Sequence, residues 1–128
     1  MAETKEYVTR SDELGNIHIS EEVLAVIAGA AALEVEGVSA LATGSRDISD
    51  LLGKKNLTRG IHVQVEDERV QVELAIMVKY GYTILDVARA VQDAVSTNIE
   101  SMSSLHVETV NINVGGVAFE KEAPKPVQ

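Results

Sequence analysis

The chain has 128 residues, 20 acids against 11 bases, a formal net charge of -9 and no cysteine. A length of this order supports one domain with a single core. An acidic surface repels phosphates, which argues against nucleic acid as the main partner. The missing thiols exclude disulfides, thiolate zinc sites and iron–sulfur clusters.

In chain order, residues 1–14 are charged and patternless, which predicts a flexible N-terminal arm without a secretory leader. Asn16-Ile17-His18-Ile19 reads as a short strand leading to Ser20, a natural helix cap with Glu21 and Glu22 behind it. The helix is expected to run to about Val35, with Gly37 as its left-handed exit. Its middle, Val23 to Leu33, has almost no polar face. At about 1.5 Å per residue this run spans roughly 16 Å, too short to cross some 30 Å of hydrocarbon. The expected location is therefore the cytoplasm, with any membrane association supplied by a partner. A helix apolar all round is covered on more than one side, by core packing or by another subunit.

Val38 to Leu41 reads as another short strand. Ala42 to Arg59 is irregular, with Ile48, Leu51 and Leu52 as one short helical turn. Residues 37–59 hold four bases, Arg46, Lys54, Lys55 and Arg59, against two acids. In an acidic chain such an island is a solvated loop or a docking patch for an acidic partner.

From Gly60 to Val114 the pattern is strongest. Ile61, Val63 and Val65 alternate with polar residues, as do Val70, Val72, Leu74, Ile76 and Val78, around the polar trio Glu66-Asp67-Glu68. This predicts a hairpin with one dry and one wet face. Thr83, with Asp86 three residues on, reads as a helix start. Ile84, Val87, Ala88, Val91, Val95, Ile99 and Met102 then recur at helical spacing. Period two returns in Val110, Ile112 and Val114, and Gly115 to Phe119 close the fold. The expected class is α+β: a two-layer sandwich of a mixed sheet with the helices 20–35 and 83–103 on one face. The domain is placed at 15–119, and 120–128, with Pro124 and Pro126, at a disordered tail.

No reactive constellation emerges. His18, His62 and His106 share no ligand spacing, so no metal or cofactor is expected. Gly53-Lys54 resembles the end of a phosphate loop, but Ile48 and Lys55 replace its essential glycine and hydroxyl. No Gly-x-Ser-x-Gly elbow is present. Glu66-Asp67-Glu68 on a hairpin tip lacks the partly dry setting that tunes catalytic carboxylates. Tyr80 and Tyr82, two of only four aromatic residues, flank Gly81 at a strand-to-helix junction. They cap the core edge or anchor a partner. The candidate partner-binding residues are thus Lys54, Lys55, Arg59, Tyr80 and Tyr82.

The ordered set Ile19-Ser20, Glu36-Gly37-Val38, Lys54-Lys55-Asn56-Leu57, Gly60-Ile61, Tyr80-Gly81 with Ile84, and Val110-Asn111-Ile112-Asn113-Val114 with Gly116-Val117 and Phe119 resembles the bacterial alkaline shock protein family. This family is also called the Gls-type envelope stress response family. The resemblance covers roughly 15–120. It implies a non-enzymatic, acidic, cytoplasmic protein linked to envelope or alkaline stress, with no catalytic residues to carry over. It also implies self-assembly and recruitment to the membrane by a separate anchor protein in some members, and an effect on fatty-acid synthesis in others. The first reading is a scaffold or protein-interaction module. The alternative is a regulator that binds a metabolic enzyme, with or without a small ligand between helix and sheet.

Overall fold

A computed structural model gives the architecture and describes residues 7–42 and 60–119. Two strands come first, β1 (Tyr7–Asp12) and β2 (Gly15–Ser20), paired antiparallel from Tyr7↔Ser20 to Asp12↔Gly15. They form a ribbon separate from the main sheet. The loose arm expected over 1–14 is therefore corrected for residues 7–14. Backbone pairing joins the two strands, and the Thr9 and His18 side chains meet across them at 2.9 Å.

Helix α1 (Glu21–Leu33) follows directly, with the Ser20 side chain accepting from the Val23 N–H at 3.3 Å. Its last helical residue, Leu33, falls two before the expected stop, Glu34 is the C-cap, and Gly37 turns the chain with φ +100°. A Cβ at Gly37 would lie 2.6 Å from Cγ2 of Val87 and 3.0 Å from the Tyr82 ring. Glycine is required there for both conformation and space. The chain then enters β3 (Val38–Leu41).

Strands β4 (Ile61–Glu66) and β5 (Arg69–Lys79) make the expected hairpin, in register from Ile61↔Leu74 to Glu66↔Arg69. Its two turn residues, Asp67 and Glu68, have φ of 54° and 64°. That is the geometry of a tight hairpin turn normally built with Asn and Gly. Helix α2 (Ile84–Ser103) starts at Thr83, whose side chain makes no cap bond. The Val87 N–H donates instead to the Thr83 backbone carbonyl at 3.0 Å. Ser104 closes the helix in the left-handed region, and β6 (His106–Ala118) runs back parallel to β5.

The sheet is mixed, with β5 at its centre. One edge of β5 pairs with β4 along Arg69–Leu74 and with β3 along Ile76–Val78. The other edge pairs with β6 along its whole length. Two bulges in β6, at Glu108 and Gly115, keep Val107, Val110, Ile112, Val114 and Val117 in phase with the core side of β5. Both helices cover that side: α1 packs on β3 and β4, α2 on β6, and each on the other. Val70, Val72, Leu74, Ile76 and Val78 meet Leu24, Ala28 and Ala32 of α1 and Val87, Val91, Val95 and Ile99 of α2 in one core. Among the described residues that core contains no buried polar or charged side chain.

Candidate interaction surface

The two helices present different faces to water. The buried stripe of α2 is Val87, Val91, Val95 and Ile99, and its outward side carries Asp86, Arg89, Asp93 and Thr97. Apolar in and polar out is what a helix on a sheet surface requires. The predicted stripe overshoots at both ends, since Ile84 and Met102 are exposed.

Helix α1 has no such division. Leu24, Ala25, Ala28, Gly29, Ala31 and Ala32 are buried. At 100° per residue, Val23, Val26, Ile27, Ala30 and Leu33 share the opposite arc. Val23 is 47% and Leu33 39% exposed, Ala30 is exposed, and Val26 and Ile27 are half-buried. No polar side chain interrupts this face between Glu22 and Glu34. The all-apolar run thus has a dual nature. One half is plain core; on the other, Ile27 still packs against the core and Val26 is half-buried, while Val23, Ala30 and Leu33 are exposed over about three turns with an acid at each end.

The sheet edges are treated unequally. On β4 the Val65 N–H donates to Oε2 of Glu21, 3.3 Å away at the start of α1. On β6 the Val107 N–H donates to Oε2 of Glu100 at 2.9 Å, and Nε2 of Gln92 donates to the Val110 carbonyl at 2.9 Å. Helix side chains therefore plug β4 and the first half of β6. Beyond Val110 no described side chain plugs the outer edge. Residues 112–118 carry no charge and include the partly exposed Val114 and Val117. Such an edge invites strand addition.

The outward face of the sheet is polar. Gln71 donates to Oε1 of Glu108 at 3.3 Å, Arg69 lies 3.6 Å from Glu108, and Asn113 donates to Glu73 at 3.1 Å. His62, Gln64, Gln71, Glu73 and Asn111 line a shallow depression of about 330 Å³ there. Among the described residues no His, Asp or Glu cluster is placed to hold a metal ion. No described helix is long and apolar enough to cross a membrane.

Of the sequence candidates, Lys54, Lys55 and Arg59 lie outside the described residues. Tyr80 and Tyr82 engage different neighbours. Tyr80 is 68% exposed and stacks on Phe119, ring centroids 4.6 Å apart. Tyr82 lies over Gly37, and its hydroxyl donates to Oε2 of Glu36 at 3.3 Å. Tyr82 is thus tied to the turn after α1, while Tyr80 and Phe119 form an exposed aromatic pair at the end of β5 and β6. The outer face of α1 was not singled out residue by residue from sequence. Its signal was there in the eleven residues from Val23 to Leu33, which hold no polar side chain to turn toward water.

A family model described as the alkaline shock protein 23 family, of cell envelope-related function, matches residues 9–119. The chain belongs to this family. Two Bacillus subtilis (strain 168) proteins are similar to it. The uncharacterized protein YloU is 37% identical over 106 residues, 80% of this chain and 88% of that one. The uncharacterized protein YqhY is 34% identical over 114 residues, 86% of this chain and 82% of that one. A solved MamM CTD structure covers 79% of this chain and 96% of its own, at 14% identity and a TM-score of 0.47. A likeness of that size is too loose to bear on function. The alkaline shock family match agrees with the resemblance drawn from the residues, over nearly the same span.

Proposed function

We propose that this chain is a non-enzymatic interaction module of the envelope stress type, acting by holding other proteins. The observation that carries the reading is the outer face of α1: an exposed apolar surface without one polar side chain, on an otherwise acidic domain. Contiguous exposed apolar surface of this kind marks protein contacts. Membrane association comes through a separate anchor protein. The basic group Lys54, Lys55 and Arg59 docks an acidic partner, and the exposed Tyr80 and Tyr82 rings add anchoring area.

Self-association uses the outer edge of β6 beyond Val110, where a second copy adds its own strand without bringing like charges together. A second reading, direct binding to a metabolic enzyme, uses the same surfaces. A small ligand between helix and sheet is less favoured, because among the described residues that layer holds no buried polar side chain to orient it.

The experiment is affinity capture with the tagged chain from its native cells, membrane and soluble fractions analysed separately, beside a thermal-shift screen of metabolites. Specific protein enrichment with no metabolite response is the expected result. A metabolite that raises the melting temperature, with no protein enriched, would replace the scaffold with a ligand-binding regulator. For the loop, Lys54→Glu with Lys55→Glu is expected to abolish capture of the acidic partner at an unchanged melting temperature. A light-scattering mass fixed at 13.7 kDa across concentrations would remove the self-association.

A further inference from the structure

The face of α1 is bounded in a way that selects its occupant. Glu21 and Glu22 stand at its first turn, Glu34 at its C-cap and Glu36 just beyond, and no basic residue occurs anywhere from Ile19 to Ala42. The carboxylate of Glu21 is engaged with the Val65 N–H, and Glu36 accepts from the Tyr82 hydroxyl. Glu22 and Glu34 are exposed, one at each end of the apolar arc. A second copy laid on this face, parallel or antiparallel, brings acid against acid at both ends. An anionic bilayer surface is repelled in the same way, since interfacial helices carry Lys and Arg beside their apolar face.

The element that fits has the reverse pattern. We propose that the outer face of α1, formed by Val23, Ala30 and Leu33 with the half-buried Val26 between them, binds an amphipathic helix of another protein. That helix carries an apolar stripe of about three turns, with Lys or Arg near both of its ends. The inference rests on the interaction-module reading above and adds the surface and the chemistry of the partner. Apolar contact along the arc supplies the affinity, and the bases placed over Glu22 and Glu34 fix position along the helix and raise the rate of encounter. The absence of any bulky side chain at Ala30, midway along the arc, lets the incoming backbone approach closely.

The test places the photo-cross-linker p-benzoylphenylalanine singly at Ala30, at Asp93 on the outer side of α2, and at Val117 on the β6 edge. Each full-length variant is irradiated in its native cells, and the joined peptides are sequenced by mass spectrometry. Cross-links from Ala30, absent from Asp93, to a segment of another protein with apolar residues at helical spacing and bases at both ends are the expected result. That segment, made as a peptide, should bind the unmodified chain. It should bind a Glu22→Lys, Glu34→Lys variant roughly tenfold more weakly, with the salt dependence reduced. Because both positions are exposed, the melting temperature of that variant serves as the folding control.

Cross-links from Ala30 to another copy of this chain, to lipid, or to a segment without bases would overturn the proposal. Cross-links from Val117 with none from Ala30 would overturn it while leaving the interaction module standing. No protein cross-link at any position would overturn both.

Discussion

Helices α1 and α2 lie side by side on the same face of one sheet and solve the same burial problem with opposite outer surfaces. α2 hides Val87, Val91, Val95 and Ile99 and turns Asp86, Arg89, Asp93 and Thr97 to water. Along its middle turns the sequence is explained by the fold beneath it, and only at its ends do Ile84, Leu85 and Met102 stay exposed. α1 hides Leu24, Ala28 and Ala32 equally well, but its other half is as apolar as the first. The fold accounts for one side of α1 only. The difference teaches where to look for function: at the helix whose composition exceeds what its own core demands.

The sharpest way to break this comparison is to truncate neighbouring residues on the two sides of α1. Leu24 is fully buried, and Leu24→Ala is expected to remove about 3 kcal/mol of stability in urea denaturation. Val23→Ala, one residue away and on the outer arc, is expected to change it by less than about 0.5 kcal/mol. Equal losses would mean that the outer arc is part of the core.

Next in size is the joint between the helices. Gly37→Ala forces a side chain into a φ of +100° and against Val87 and Tyr82, and should destabilise by about 2 kcal/mol. A neutral result would show that the turn after α1 adjusts independently of α2. A smaller effect is expected for Gln92→Ala, which leaves the Val110 carbonyl on the β6 edge without its helix partner. A loss near 1 kcal/mol, with faster amide exchange in the first half of β6, would confirm that α2 guards the edge as well as the core. The smallest effect lies away from both helices. Glu68→Gly relieves a left-handed residue in the β4–β5 turn and should stabilise by roughly 0.5–1 kcal/mol. The outer surfaces of both helices should be unaffected.

These elements also differ in how plainly the sequence announces them. The hairpin β4–β5 and helix α2 were legible because each keeps one clean period, two or 3.6, over its length. β6 was legible only from Val110, because the bulge at Glu108 puts Val107 and Val110 three apart and breaks the alternation. β2 was legible as the short strand Asn16–Ile19, whereas β1 escaped because residues 7–12 show no apolar alternation and are ordered by pairing with β2. The parallel pairing of β6 with β5 follows from the helix between them, which carries the chain back to the starting edge.

The candidate site was half visible. Its apolar run stood out, but periodicity alone cannot divide such a run into a side that faces the sheet and a side that faces water. Tyr80 and Tyr82 drew attention as rare aromatics at a junction, and their roles diverge because one stacks on Phe119 and the other bonds Glu36. The edge plugs by Glu21, Gln92 and Glu100 join residues too far apart in the chain for any local pattern to link them.

The most direct measurement is the yield of photo-cross-linked protein from Ala30 against that from Asp93, in native cells and at matched expression. The outer side of α1 is expected to give a discrete protein adduct with a basic-flanked helical segment, and the outer side of α2 none. Equal yields from the two helices, or no adduct from Ala30, would contradict the claim that the apolar outer half of α1 exists to be held by another protein.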